Sequence, residues 1–331
     1  MRVFKYRGGA KRVLKRDIRS LINNEVYCAS FETLNDIFEA KCIVDEQRFI
    51  LSRMSDSIKS SDLKKINNST LKIINEYIEV SNGFGVYSLS KSFKDELLWA
   101  YYANSHQGFC IEYDLDELVE YRMRDELIID VNYQKNMPFI TDIDLINFHE
   151  NRTPDSTLNK KLIATKSERW RHEDEVRIVT GRSGLYKYNY SSLKGIYFGC
   201  RCDSILIKLV MKVLRGRGIK YYQMKPKKDS YNLERIRIED KYAGFDYPGI
   251  ELAIVEEGAV NISDNNRQYS DYLLKAMELV RRYPDSKKIF NVDISLHKGS
   301  ESNPMIYVQY ISNDERFQKK YFSLEEINSL V

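Results

Sequence analysis

Residues 85–113 read GVYSLSKSFKDELLWAYYANSHQGFCIEY, a pattern that predicts a strand, a helix and a second strand. Residues 85–90 have the aromatic and branched composition of a strand. Ser92 and Asp95 resemble a capping arrangement, so a helix is expected over residues 95–106, stopped by Gly108. Residues 109–113 then return as a strand. No glycine-rich turn of a dinucleotide-binding βαβ unit accompanies these elements, which favours an α+β fold.

Short strands and helices alternate irregularly on both sides of this stretch. Strands are predicted near residues 3–6, 26–30, 128–133, 173–179, 195–198, 219–224 and 234–239, and helices over residues 11–22, 61–80, 158–170 and 204–214. We find no internal repeat. The pattern predicts a small, mostly antiparallel sheet with flanking helices.

The composition changes near residues 242–249, where Gly244, Pro248 and Gly249 suggest a linker. We therefore predict a larger domain at residues 1–243, which carries any catalytic site, and a small α+β accessory domain at residues 244–331. The accessory domain has a strand at 250–255, a helix at 270–283, a hairpin at 290–297 and 305–311, and a strand near 319–322.

Charge and cysteine content limit the protein class. The net charge of +4 is too small to indicate nucleic-acid binding by itself, although local basic clusters remain candidates. The basic N-terminal residues are not followed by an apolar run, and no apolar stretch is long enough to span a membrane. Five cysteines form no disulfide pattern, and neither Cys200-Arg201-Cys202 nor the scattered histidines predict a metal site. These features predict a cytoplasmic protein without membrane partners.

Four segments carry a family resemblance. They are FKYR (4–7); FETLNDIFE (31–39); SLS (88–90) with LWAYYA (98–103) and GFCIEY (108–113); and Lys166 with WRHEDEVR (170–177). Together they resemble the bacterial family called domain of unknown function 2971, over residues from about 3 to 240. Two positions depart from the family pattern: Ile37 replaces a proline and Tyr101 replaces a histidine. The resemblance implies no established activity.

The last segment contains a row of charged residues. If residues 173–179 form one strand, Glu173, Glu175 and Arg177 share a face, since side chains alternate along a strand. Two carboxylates and a guanidinium on one face predict either a wet cleft or mutual pairing. The alternative is an ordinary solvated strand face with ion pairs across neighbouring strands.

The chain order of an arginine, a Ser-x-Ser strand and a Glu-x-Glu element resembles arginine-serine-glutamate ADP-ribosyltransferases. That resemblance implies that Arg7 holds the phosphates of NAD and that Ser88 and Ser90 orient the nicotinamide pocket. It implies that Glu175 stabilises the positive charge on the ribose as nicotinamide leaves, while Glu173 acts on the acceptor. Among the neighbouring aromatic residues, Tyr6, Trp99 and Tyr102 are predicted to bind the cofactor, although a tryptophan in an apolar helix is more often a core residue.

These expectations give two hypotheses. In the first, the chain cleaves the nicotinamide–ribose bond of NAD as an ADP-ribosyltransferase or NAD glycohydrolase, with NAD as substrate and a protein or nucleic acid as acceptor. Such an activity would suit a toxin or an antiphage effector. In the second, it is a nucleic-acid-directed nuclease or binding protein, supported by the basic N-terminal helix, residues 215–218, residues 225–228 and the tyrosine content.

Overall fold

The computed structural model describes residues 1–44, 83–120, 126–141, 144, 157–245, 247, 252–283, 286–300, 303–313 and 315–330. The helix expected over residues 61–80 lies outside these residues. The chain divides into two compact units, Met1–Phe245 and Asp246–Val331. No helix in the described ranges combines the length and the apolar character that crossing a membrane requires.

In the described residues, the first unit contains one large sheet and two sheets of two strands each. Its strands are β1 Arg2–Arg7, β2 Glu25–Ser30, β3 Ile43–Val44, β4 Gly85–Ser90, β5 Phe109–Asp114, β6 Leu127–Asp130, β7 Asn132–Gln134, β8 Phe139–Ile140, β9 Thr165–Ser167, β10 Glu175–Thr180, β11 Gly184–Lys187, β12 Leu193–Phe198, β13 Lys220–Pro226 and β14 Leu233–Ile238. Its α-helices are α1 Lys11–Asn23, α2 Glu96–Tyr102, α3 Leu115–Glu120, α4 Thr157–Ile163 and α5 Ser204–Val213. A 3-10 helix at Glu168–Glu173 precedes β10.

The main sheet runs in the order β11-β2-β4-β1-β5-β12-β13-β14, with β10 paired to β4 and β6 paired to β10. Its pairs are antiparallel except β12 with β13. The fold is therefore α+β and mostly antiparallel, which confirms the predicted fold class.

Strand β4 is shared between two parts of this sheet. It pairs with β10 along its whole length, from Glu175 opposite Ser90 to Thr180 opposite Gly85. On its other edge, it pairs with β2 at its beginning and meets β1 where Phe4 lies opposite Ser90. On its other edge, β1 pairs with β5 along its whole length, whereas its pairing with β4 stops at Phe4, so β1 and β4 separate beyond that residue. This fork between β1 and β4 positions the site.

The two faces of the sheet are covered by different layers. On one face, buried apolar residues such as Tyr87, Ile111 and Ile178 pack with residues of α1 and α5. On the other, Phe4 and Tyr6 pack with residues of α2. Burial of apolar side chains on both faces supplies the main stabilising term.

Several element boundaries differ from the predictions. The helix expected over 158–170 ends at Ile163, because Thr165–Ser167 pairs with β7 and tertiary pairing overrides local helical spacing. Glu173 does not lie on a strand: it ends a 3-10 helix, and Asp174 adopts a left-handed conformation before β10 begins. The helix expected over 95–106 ends at Tyr102, and Asp95 alone caps it through the Leu98 N–H.

The second unit has its own core. It contains β15 Ile254–Val255, α6 Ser270–Arg281, β16 Ser286–Ser300, β17 Asn303–Ser312, β18 Phe317–Ser323 and α7 Leu324–Leu330. The strands form a sheet in the order β15-β16-β17-β18. Helix α6 buries Leu273, Ala276 and Val280 against this sheet, while Tyr272 and Leu279 pack at the edge of the core.

Candidate functional site

A cavity of about 360 Å³ opens at the fork between β1 and β4. Its walls come from β1, α1, residues 33–35 and 39, β4, α2, Lys166 and the start of β10. The volume lies within the range of small-molecule sites. Separation of the two strands therefore exposes side chains from distant parts of the chain to one space.

The fork is held by a lysine. Beyond Phe4, the backbone of β4 lacks β1 as a partner, and the Lys5 ammonium donates to the carbonyl of Ser88 at 2.6 Å. The same Nζ lies 4.8 Å from the centre of the Tyr87 ring. A backbone carbonyl that lacks a strand partner needs another donor, so Lys5 stabilises the opening and also faces the cavity.

One wall of the cavity is a cluster of buried carboxylates around Lys166. The Lys166 Nζ lies 2.6 Å from Glu173 Oε2, 3.3 Å from Glu39 Oε1 and 3.4 Å from Glu175 Oε2. All four side chains are less than one tenth exposed. Buried charges need such compensation because desolvation of an isolated ion is strongly unfavourable.

Arg177 completes this cluster from β10. Its two terminal nitrogens donate to both oxygens of Glu39 at 2.7 and 2.8 Å, and its Nε donates to Glu175 Oε1 at 2.8 Å. Arg177 is fully buried and also donates to the carbonyl of Ile163. With all groups ionised, three carboxylates face two cations, and the cluster carries one net negative charge.

The pairing fixes the charge state of Glu175. Burial acts to raise the pKa of this carboxyl, but Arg177 and Lys166 outweigh it, and hydrogen bonds from Arg177 and Ser88 add to them, so the pKa falls to about 2. Burial acts to lower the pKa of Lys166, and the surrounding carboxylates instead raise it. Glu175 is therefore a carboxylate and Lys166 an ammonium at neutral pH.

Glu173 is oriented by a second set of hydrogen bonds. The Tyr102 hydroxyl donates to Glu173 Oε1 at 2.6 Å, and the Asn35 amide donates to the Tyr102 oxygen at 2.6 Å. Burial and the Glu173 carboxylate raise the pKa of Tyr102, so this hydroxyl keeps its proton. Asn35, Tyr102 and Glu173 all line the cavity.

A second charged group lies between β1 and α1. Arg7 approaches Asp17 at 4.0 Å, and Arg16 contacts the same Asp17 oxygen at 3.0 Å. The other oxygen of Asp17 is buried and has no hydrogen-bond partner among the residues that the structure describes. Burial and the nearby Arg7 lower the pKa of Lys5 to about 7. Lys5, Arg7 and Arg16 thus provide a cationic wall to the cavity with one carboxylate among them.

Most of the residues proposed from the sequence meet at this cavity. Those that line it are Arg7, Tyr6, Ser88, Ser90, Tyr102, Glu173 and Glu175. Trp99 does not: it is fully buried, its indole N–H donates to the carbonyl of Phe93, and it packs edge-on against Tyr6. The prediction that Trp99 binds a cofactor is therefore replaced by a core role, since a buried indole without access cannot stack on a ligand.

Sequence reasoning missed several residues of the site, chiefly Lys5, Asp17 and Glu39. Glu39 closes the segment 31–39 of the family resemblance, and Lys166 begins the last one, but neither was assigned a role. Lys5 lies in segment 4–7 of the family resemblance and shares a strand face with Arg7, but it was not assigned a role. Only the fork brings Lys5 and Tyr6 to the same space.

Searches of curated proteins and of solved structures gave no significant match to this chain. They give no support to the resemblance to ADP-ribosyltransferases, which stays a prediction. The family resemblance has support over part of its range, from within α2, through β5, to within β10. Residues 98–178 match the model of a family described as protein of unknown function, DUF2971.

Proposed function

We propose that the cavity at the fork binds NAD and that the chain breaks its nicotinamide–ribose bond. The observation that supports this proposal is the separation of charge along the walls of the cavity. Lys5, Arg7 and Arg16 line one part, and a carboxylate cluster with net negative charge lines another. NAD carries an anionic pyrophosphate and a cationic nicotinamide ring, so both charged groups of this ligand have a wall of opposite charge.

The cationic wall suits the pyrophosphate. The guanidinium of Arg7 has a planar fork that matches phosphate oxygens, and Arg16 adds a second. Asp17 contacts both arginines and holds them near the cavity.

The carboxylate cluster suits the reacting end. As the bond between C1′ of the ribose and the nicotinamide nitrogen breaks, its electron pair goes to nicotinamide, and positive charge develops on the ribose. A fixed carboxylate such as Glu175 stabilises that charge without reorganisation. A water molecule or another acceptor then donates a lone pair to C1′ and releases its proton to Glu173 or to solvent. With water, the products are ADP-ribose, nicotinamide and one proton.

Incubation of the purified protein with NAD tests this proposal directly. Free nicotinamide, measured by chromatography with and without cell extract, is expected to accumulate with time and with protein concentration. Heat-denatured protein serves as the control. Absence of nicotinamide under all these conditions would refute the proposed reaction.

Removal of the phosphate-binding arginine is expected to weaken NAD binding. Arg7→Ala removes charge-assisted hydrogen bonds of about 1.5–3 kcal/mol, which corresponds to a roughly 10- to 100-fold higher Kd. Arg2→Ala is a matched control, because Arg2 lies on the same strand but outside the cavity lining. Titration calorimetry with NAD gives the Kd of each variant. Equal Kd values for Arg7→Ala and wild type would exclude a phosphate contact by Arg7.

Binding is also expected to depend on pH through Lys5. An anionic ligand favours the ammonium form and raises the Lys5 pKa above its value of about 7 in the free protein. Binding therefore takes up a proton, and affinity is highest below pH 7 and falls as the pH rises above it. Lys5→Met is expected to remove most of the pH dependence of NAD affinity in calorimetric titrations between pH 6 and pH 9. Lys187→Met changes an exposed lysine outside the cavity and is expected to keep the pH dependence of the wild type. A wild-type affinity independent of pH in this window would contradict the role of Lys5.

The nuclease alternative has less support. In the described residues, no group of three or more histidine, cysteine, aspartate and glutamate side chains is arranged to hold a metal ion. The three clustered glutamates instead surround the ammonium of Lys166. Nucleic-acid binding without cleavage has a separate observation in its favour, the charge of α1.

A further inference from the structure

Helix α1 carries a concentrated basic surface. Its exposed cations are Lys11, Arg12, Lys15, Arg16 and Arg19. At about 100° per residue they fall within an arc of roughly 140°, while Leu21, on the opposite side, and Ile18, beside the arc, are buried in the core. The helix contains one acidic residue, Asp17, which is buried. The exposed side of α1 is therefore uniformly positive.

This basic surface adjoins the cavity. Arg16 and Val13, at one edge of the exposed arc, line the cavity wall. A polyanion lying on Arg12, Lys15 and Arg19 would pass directly beside the opening. Binding to such a row of cations is driven by neutralisation of phosphates and release of counterions.

An aromatic surface also borders the cavity. Tyr101 is 61% exposed and lines the cavity. Its ring lies 6.5 Å from that of Tyr102 and 6.4 Å from that of His172. An exposed ring at a cavity that also has a cationic wall is a surface on which an unpaired nucleobase stacks, and each such base contributes about 1–3 kcal/mol.

We propose that a single-stranded nucleic acid docks along α1 and Tyr101 and accepts ADP-ribose at the cavity, an inference that rests on the proposed function. A single strand is favoured because its bases reach the cavity without the unstacking and unpairing that a duplex requires. In the transfer, the bond from C1′ to nicotinamide breaks with its electron pair on nicotinamide. A ring or amino nitrogen of the base forms the new bond to C1′, and the proton of that nitrogen passes to Glu173 or to water.

Binding is measured first, without NAD, so that docking is tested apart from chemistry. Labelled single-stranded DNA, single-stranded RNA and duplex DNA are titrated by fluorescence anisotropy at several salt concentrations. Arg12→Gln/Lys15→Gln/Arg19→Gln is expected to lower single-strand affinity roughly 10- to 100-fold and to reduce the slope of log K against log salt by about 2. None of the three residues lines the cavity. Tyr101→Ala is expected to lower affinity without changing the salt slope.

The basic loop after β13 supplies the matched control. Lys225→Gln/Lys227→Gln/Lys228→Gln removes the same number of exposed cations where β13 leads into β14, the last two strands of the sheet order. Its affinity and salt slope are expected to equal those of the wild type. Equal losses in both triple variants would overturn α1 as the docking surface, as would tighter binding of duplex than of single strands, or no oligonucleotide binding at all.

Transfer is measured with NAD labelled in its adenylate part. Label is expected on the single-stranded oligonucleotide, and the α1 triple variant is expected to transfer less label than the wild type. Without oligonucleotide, the α1 triple variant is expected to release nicotinamide at the wild-type rate. Nicotinamide release with no label on either DNA or RNA would overturn the acceptor but leave the proposed function. Absence of nicotinamide release despite tight oligonucleotide binding would overturn both the proposed function and the acceptor, leaving only the docking surface.

Discussion

Replacement of Arg177 by methionine is expected to lower the free energy of unfolding by about 3–5 kcal/mol, the cost of removing one partner from a buried ion pair. Arg177 is fully buried and donates to both oxygens of Glu39 and both oxygens of Glu175. Its loss leaves three buried carboxylates with Lys166 as their remaining cation. Methionine preserves most of the volume, so the change is chiefly one of charge and hydrogen bonding. Urea denaturation at neutral pH measures the change in free energy of unfolding.

Two further variants make this test specific. Arg237→Met changes an exposed arginine on β14 and is expected to alter stability by less than about 0.5 kcal/mol. Arg177→Lys keeps the charge but loses the bidentate geometry, so an intermediate value is expected. A stability of Arg177→Met within error of the wild type would show that the carboxylate cluster is not held by this guanidinium.

The pH dependence of the same variant follows from the Glu175 pKa. In the wild type, the folded pKa of about 2 lies below the unfolded value of about 4.3, so Glu175 contributes stability above that value. This contribution is lost as the pH falls from about 4.3 towards 2. Without Arg177 the pKa of Glu175 is lowered less, so Glu175 contributes less stability at neutral pH. The difference in free energy of unfolding between wild type and Arg177→Met is therefore expected to become smaller as the pH is lowered.

Local features of the fold follow from the sequence because they depend on neighbouring residues. The alternation in residues 85–90 gives β4 with its predicted bounds, and Asp95 caps α2 as an acidic residue at a helix start. The strand alternation also gives the correct relation between Glu175 and Arg177. Both lie on the face that carries Ser90 and Ser88, because the register places these residues opposite one another.

The ion cluster could not be predicted in the same way. Glu39 and Arg177 are 138 positions apart in sequence, and their pairing depends on how the segment after β2 returns to the sheet. Glu173 reaches Lys166 from a 3-10 helix rather than from the predicted strand. The fork between β1 and β4 depends on strand pairing across the whole sheet, and it determines which faces of β1 reach the cavity.

The most informative variant for the proposed reaction is Glu175→Gln, which keeps the shape of the side chain and removes its charge. Nicotinamide release is expected to fall by roughly 10²-fold or more, the scale found when a preorganised electrostatic group is removed from an active site. The structure adds a stability effect that the sequence did not indicate. Glu175 pairs with buried Arg177 and Lys166. The free energy of unfolding of the variant is therefore expected to be lower than that of the wild type by about 1–3 kcal/mol.

A buried carboxylate outside the cavity separates these two effects. Asp144 is 4% exposed, accepts hydrogen bonds from Thr141 and pairs with Lys161. Asp144→Asn should therefore lose comparable stability but retain nicotinamide release. Rates are compared at a temperature at which circular dichroism shows all variants folded. If Glu175→Gln releases nicotinamide at the wild-type rate while Glu173→Gln does not, the charge that stabilises the ribose belongs to Glu173. If both variants keep the wild-type rate, neither carboxylate takes part in the reaction, since removal of a stabilising charge must raise the barrier.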